Sequence, residues 1–194
     1  VSEAQIQDIA ISGNGEPTSC PNLIEVIQTL KDILIQQQLQ DSVKKVLITN
    51  GSLMHRTEVQ TALRDFGNLG GEIWFKLDRG SPEGIFALNR VVSSMEKVRG
   101  NLHHCLECAP TWIQTCLVVV DGKEPETSEW GAYLELLDNA HKQYPSRLKG
   151  VHFYGLARPS MQPGASRLSP VGEALPQKLL AAVQNLGLEA TFNP

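Results

Sequence analysis

The sequence predicts an α/β fold: a partial (β/α)6 TIM-like barrel with a mainly parallel sheet and outer helices. Three observations point there. Short apolar strands alternate with amphipathic helices along the whole chain. The strands are nearly continuous runs of branched apolar residues, the pattern of parallel strands buried on both faces. Small, polar and charged residues gather where those strands end, the face on which folds of this class place their chemistry.

Each element has its own signal. "IQDIAIS" (Ile6 to Ser12) reads as a buried strand. Thr18 or Ser19 can cap the helix that follows, with Pro21 in its first turn, where a missing N–H costs nothing. Leu23, Ile27, Leu30 and Leu34 recur at helical spacing. A second strand covers Val46 to Thr49 and ends in an Asn-Gly turn, and "RTEVQTALRDF" follows as a helix. "GEIWFKLDRGSPE" is a strand running into a turn, and a helix is expected from Pro82 to about Val98. "TWIQTCLVVVDG" is the fourth strand. Trp130, Tyr133, Leu137, Ala140 and Tyr144 form the stripe of the next helix. "KGVHFYGLARPS" is the fifth strand, Leu175 to Leu186 the last helix, and "LEATF" a short closing strand.

The chain has 194 residues, 41% hydrophobic and 20% charged, which suits one domain, 1–194, with 159–194 as a C-terminal extension. A net charge of −4 supplies no basic field for a phosphate backbone, so nucleic acid is not the expected partner. No apolar run approaches a membrane span, and the first residues lack a secretory signal pattern. Cys20, Cys105, Cys108 and Cys116 are too few and too scattered for a secreted disulfide framework, so a reducing cytoplasmic setting is expected. The chain enters a strand almost at once, and a preceding segment is expected.

The strand ends carry the candidate chemistry. In Gly13-Asn14-Gly15-Glu16-Pro17, the glycines permit close backbone approach and Asn14 tolerates positive φ. Its carbonyls and Glu16 suit an ammonium; equally, it is a strand-to-helix turn with Glu16 solvated or capping. Thr49 and Asn50 can hydrogen-bond ribose or carboxylate, or simply make an Asn-Gly turn. Lys76 and Asp78 alternate on one side of their strand, and pair if that side faces inward. Gln114 is an amide in an apolar strand, needing a partner that a ligand could supply. Arg158 could hold an anion or a surface acid. "HHCLEC" (His103 to Cys108) has the spacing of half a metal site, but its second half is missing and it precedes a strand. A structural role is expected there, and no metal ligand is assigned.

In order, the strand ends "SGNGEPT", "ITNGSL", "FKLDRG", "WIQTCLV" and "GVHFYGLARPS" resemble those of the radical S-adenosylmethionine (SAM) superfamily, from about Ile6 to Ser160. The first looks like that superfamily's Gly-Gly-Glu-Pro motif, in a variant similar to members loosely called Fe–S oxidoreductases and, more distantly, to wyosine-type tRNA-modifying enzymes. The resemblance implies a SAM-binding partial barrel. It assigns Gly13, Asn14, Gly15, Glu16 and Pro17 to the methionyl ammonium. Thr49 and Asn50 would face ribose or carboxylate, Lys76, Asp78 and Gln114 would complete the polar site, and Tyr154, Gly155, Leu156 and Ala157 would lie by the adenine. It also implies a 4Fe-4S cluster held by Cys-x3-Cys-x2-Cys, an unknown substrate, and an electron donor such as a flavodoxin or ferredoxin.

One departure matters. No spacing among the four cysteines reproduces that cluster motif, so its ligands and the first strand are expected upstream of Val1. The parent protein would generate a 5′-deoxyadenosyl radical for hydrogen abstraction, and this chain alone would be a cluster-less, inactive form. Two other readings stand beside it: a non-catalytic SAM-binding or regulatory α/β domain, and a Schiff-base lyase or aldolase-like barrel using Lys76.

Overall fold

The computed structural model describes residues 6–13, 15–156 and 164–194. In chain order its elements are β1 (Asp8–Ile11), α1 (Leu23–Gln36), β2 (Lys44–Thr49), α2 (Thr57–Asn68), β3 (Gly71–Lys76), α3 (Pro82–Asn89), α4 (Met95–Cys108), β4 (Thr111–Cys116), β5 (Val118–Val120), α5 (Thr127–Gln143), β6 (Leu148–Tyr154), β7 (Leu168–Pro170), α6 (Ala174–Asn185) and β8 (Glu189–Asn193). The fold is α/β with a mostly parallel main sheet, as the alternation of strands and helices predicts. The chain divides into two compact units, Val1–Phe75 with Gly100–Thr111, and Lys76–Arg99 with Trp112–Pro194.

In the first unit the strand order follows the sequence, β1-β2-β3, and both pairings are parallel. Sequential order is what repeated βα crossovers of one hand produce. β2 is almost wholly buried, as a central parallel strand must be. The predicted stripe of α1 buries Leu23, Ile27 and Leu34, and α2 buries Val59, Ala62, Leu63 and Phe66. Each Leu, Ile, Val or Phe side chain so removed from water contributes about 1.5–3 kcal/mol.

The second unit carries β4, β6 and β8 in that order, with β6 and β8 parallel. Along β4, Ile113 and Thr115 are buried, while Trp112, Gln114 and Cys116 on the other face are half-buried. Tyr133 of α5 is fully buried, its hydroxyl 2.7 Å from Thr115 Oγ1, and the Thr115 hydroxyl donates to Leu77 O at 2.8 Å. A buried phenol needs such a partner, and burial raises its pKa.

Local chemistry departs from the sequence reading in three places. The helix expected over Pro82 to Val98 is two helices. Arg90 takes a left-handed φ of 58° and closes α3, and the β-branched pair Val91-Val92 follows. Ser94 Oγ then accepts from Lys97 N at 3.2 Å as a new helix begins. α4 also includes His103 to Cys108, which precede β4 as the sequence order predicts. The run "TWIQTCLVVVDG" breaks at Leu117, and β5 pairs antiparallel with β7 in a separate ribbon. Finally, Thr18 and Ser19 do not cap α1: they lie in a 3-10 turn, Pro17–Ser19, capped by Glu16.

Candidate functional site

In the first unit, Glu16 joins two strand ends. Its Oε1 accepts from Thr18 N at 3.2 Å, from Thr18 Oγ1 at 2.7 Å and from Thr49 Oγ1. Its Oε2 accepts from Asn50 N at 2.8 Å. One carboxylate thus caps the turn after β1 and fastens it to the end of β2. Of the two roles open to Glu16 in the sequence, the structure displays capping. Charge-assisted bonds of this kind are short and strong. Thr49 is buried and relays further: its Oγ1 accepts from Gly51 N at 2.9 Å. Asn50 is exposed, and its Oδ1 accepts from Ser52 N at 2.9 Å. Gly51 is required here, because its φ is +69° and an added Cβ would strike the Phe75 ring. Gly13 and Gly15 are exposed beside Glu16. Asn14 lies outside the described residues.

In the second unit, Asp78 and Lys76 part company. Asp78 is buried; its Oδ1 accepts from Cys116 N at 2.8 Å and its Oδ2 from Asn89 Nδ2 at 3.3 Å. Lys76 is exposed, and the two form no ion pair. Asp78 lies beyond the end of β3, with its carboxylate taken up by Cys116 N and Asn89 Nδ2, whereas Lys76 faces solvent. Gln114 is half-buried on the face shared with Trp112 and Cys116, and among the described residues its side-chain amide has no hydrogen-bond partner. Burial, then the Asp78 carboxylate, pushes the Cys116 thiol up to about 11. The same two causes raise the Tyr154 phenol, so both groups stay protonated at neutral pH. Gly155 N donates to Asn193 O at 2.8 Å, and Leu156 is half-buried. Ala157 and Arg158 lie outside the described residues.

Sequence reasoning passed over Arg79 and Glu129. The Arg79 guanidinium is buried. It donates to the carbonyls of Asp78 (2.6 Å), Cys116 (3.1 Å) and Val118 (3.0 Å) and lies 5.6 Å from the Trp130 ring. Burial lowers its pKa, offset by nearby Asp78 and Glu129. Glu129 accepts from the backbone N–H of Gly80 and of Ser81 (2.9 Å) and from Ser81 Oγ. That places an internal anion at the N-terminus of α3, where the helix dipole favours one. The only sequence signal was an arginine beside Asp78 in a turn.

The cysteines do not gather. Cys20 is exposed, Cys105 and Cys108 are buried in α4, and Cys116 sits at the end of β4. Burial, then the neighbouring Cys108, raises the Cys105 thiol well above its ordinary value. Among the described residues no three His, Cys, Asp or Glu side chains are placed to hold a metal ion. A 4Fe-4S cluster therefore does not fit the cysteines of this chain.

No family model matches the chain. Two curated relatives, each a "UPF0026 protein" from Helicobacter pylori (strains 26695 and J99), are 41% identical over 61 residues. That stretch is 31% of this chain and 18% of either relative's length. Among solved structures, archaeal TYW1 gives a TM-score of 0.45 at 20% identity over 69% of this chain and 39% of that one, too slight a likeness to carry a conclusion. A domain of the pyruvate-formate lyase-activating enzyme from Bacteroides vulgatus gives 0.61 at 15% identity, over 97% of this chain and 99% of that domain. The chain has the α/β fold of that domain.

Proposed function

We propose that this chain is the SAM-binding part of a radical SAM-type enzyme whose cluster ligands are supplied from residues upstream of Val1. The observation that carries the reading is the Glu16 clasp, which ties the Gly-rich turn after β1 to Thr49 and Asn50 at the end of β2. Glu16 already accepts four hydrogen bonds from its own chain, close to the capacity of a carboxylate. Its role in the proposed site is therefore to fix the turn, leaving backbone carbonyls to meet the methionyl ammonium. Exposed Asn50 offers an amide to the carboxylate or ribose.

The cluster, when bound in the parent protein, would supply the electron that cleaves SAM reductively; the residues of this chain bind and orient. Anaerobic iron–sulfide reconstitution tests the division of labour. The parent protein should hold a cluster and release 5′-deoxyadenosine from SAM. This chain alone should do neither, and SAM cleavage by the chain alone would overturn the reading.

A further inference from the structure

The Asn50–Gly51 turn contains the parts of a reaction on itself. Glycine follows the asparagine, so no side chain hinders the Gly51 nitrogen from reaching the Asn50 side-chain carbonyl carbon. The Gly51 N–H donates to Thr49 Oγ1 at 2.9 Å, and the Thr49 hydroxyl donates to the Glu16 carboxylate. This is a proton path from amide to anion, the arrangement of a nucleophile backed by a base. On the other side, Ser52 N–H donates to Asn50 Oδ1 at 2.9 Å, where negative charge builds when that carbonyl is attacked. Asn50 is exposed, so water reaches it.

We propose that Asn50 is a structure-assisted deamidation site and that its conversion loosens the Glu16 clasp. The Gly51 nitrogen bonds to Asn50 Cγ, giving up its proton along Thr49 toward Glu16. The Cγ–Nδ2 bond breaks, and Nδ2 takes a proton and leaves as ammonia. Water then opens the succinimide at one of its two carbonyls, leaving aspartate or isoaspartate at position 50. The sum is amide plus water giving carboxylate plus ammonium, with no oxidant or reductant. The product places a second negative charge beside Glu16, whose Oε2 accepts from the backbone N–H of residue 50 at 2.8 Å. Isoaspartate also inserts one carbon between Cα of residue 50 and the Gly51 nitrogen, carrying the Gly51 N–H out of register with Thr49 Oγ1. The site would age chemically, whether or not SAM is its ligand.

The test is mass mapping of the tryptic peptide 46–56 after incubation of the folded chain in neutral buffer, with isoaspartyl methyltransferase labelling. A synthetic peptide of residues 46–56 runs in parallel. The folded chain should convert several-fold faster than the free peptide, and Glu16→Gln and Thr49→Val should slow it. Conversion in the folded chain no faster than in the free peptide would overturn the proposal. So would an unchanged rate in Glu16→Gln with the native circular dichroism spectrum retained.

Discussion

A carboxylate that accepts four hydrogen bonds from three residues organises its surroundings more than it waits for a ligand. Removing Glu16 leaves Thr18 N and Asn50 N without their acceptor. Hydrogen bonds to a charged group are worth about 1.5–3 kcal/mol each, part of which water recovers at this half-exposed position. Glu16→Ala should therefore lower the urea-unfolding free energy by about 2–3 kcal/mol. The Cys116 thiol gives a pH signature. It ionises at about 11 in the folded chain against an ordinary 9.0, so the unfolded state loses its proton first. Stability must then fall as pH rises from 9.0 to about 11. Two units correspond to about 2–3 kcal/mol, and Cys116→Ser should remove that part of the slope. Glu16 was legible in the sequence as a carboxylate in a glycine turn, with capping among its readings. Arg79 was not legible, because all three of its acceptors are backbone carbonyls, two of them 37 and 39 residues away.

At the level of elements, strand ends are held by close approaches that leave no room for a side chain. At Gly80 an added Cβ would meet backbone atoms of Tyr133 and Glu129, which cannot swing aside. Gly80→Ala should cost about 3 kcal/mol or more, against about 1–3 kcal/mol for Gly51→Ala, where the obstacle is the Phe75 ring. Thermal unfolding of the two variants checks the order. Arg79→Ala, which strips three buried or half-buried carbonyls of their donor at about 1–3 kcal/mol each, should cost about 3 kcal/mol or more in the same assay. Helices with an unbroken apolar stripe, such as α1, were readable from spacing alone. The break at Leu117 was not, because "CLVVV" is apolar throughout and only the pairing of β5 with β7 separates it from β4. The divided helix after Pro82 turned on Arg90 adopting a left-handed φ, which arginine composition does not announce.

At the level of the whole chain, the alternation of strands and helices was enough to give the α/β class, because apolar periodicity and turn residues change together at each boundary. The polar residues at strand ends were visible too, but not which would hold one another. That depends on registers set by pairing, such as Thr49 opposite Phe75, and on turns whose geometry no spacing encodes. The proposed function requires that the Gly-rich turn after β1 and the end of β2 bind SAM. Calorimetric titration of SAM into the purified chain tests it most directly. Saturable binding at one site per chain is expected, weakened tenfold or more in Glu16→Ala, at least about 1.4 kcal/mol. Absence of binding to the folded chain, or equal binding by folded Glu16→Ala, would contradict it.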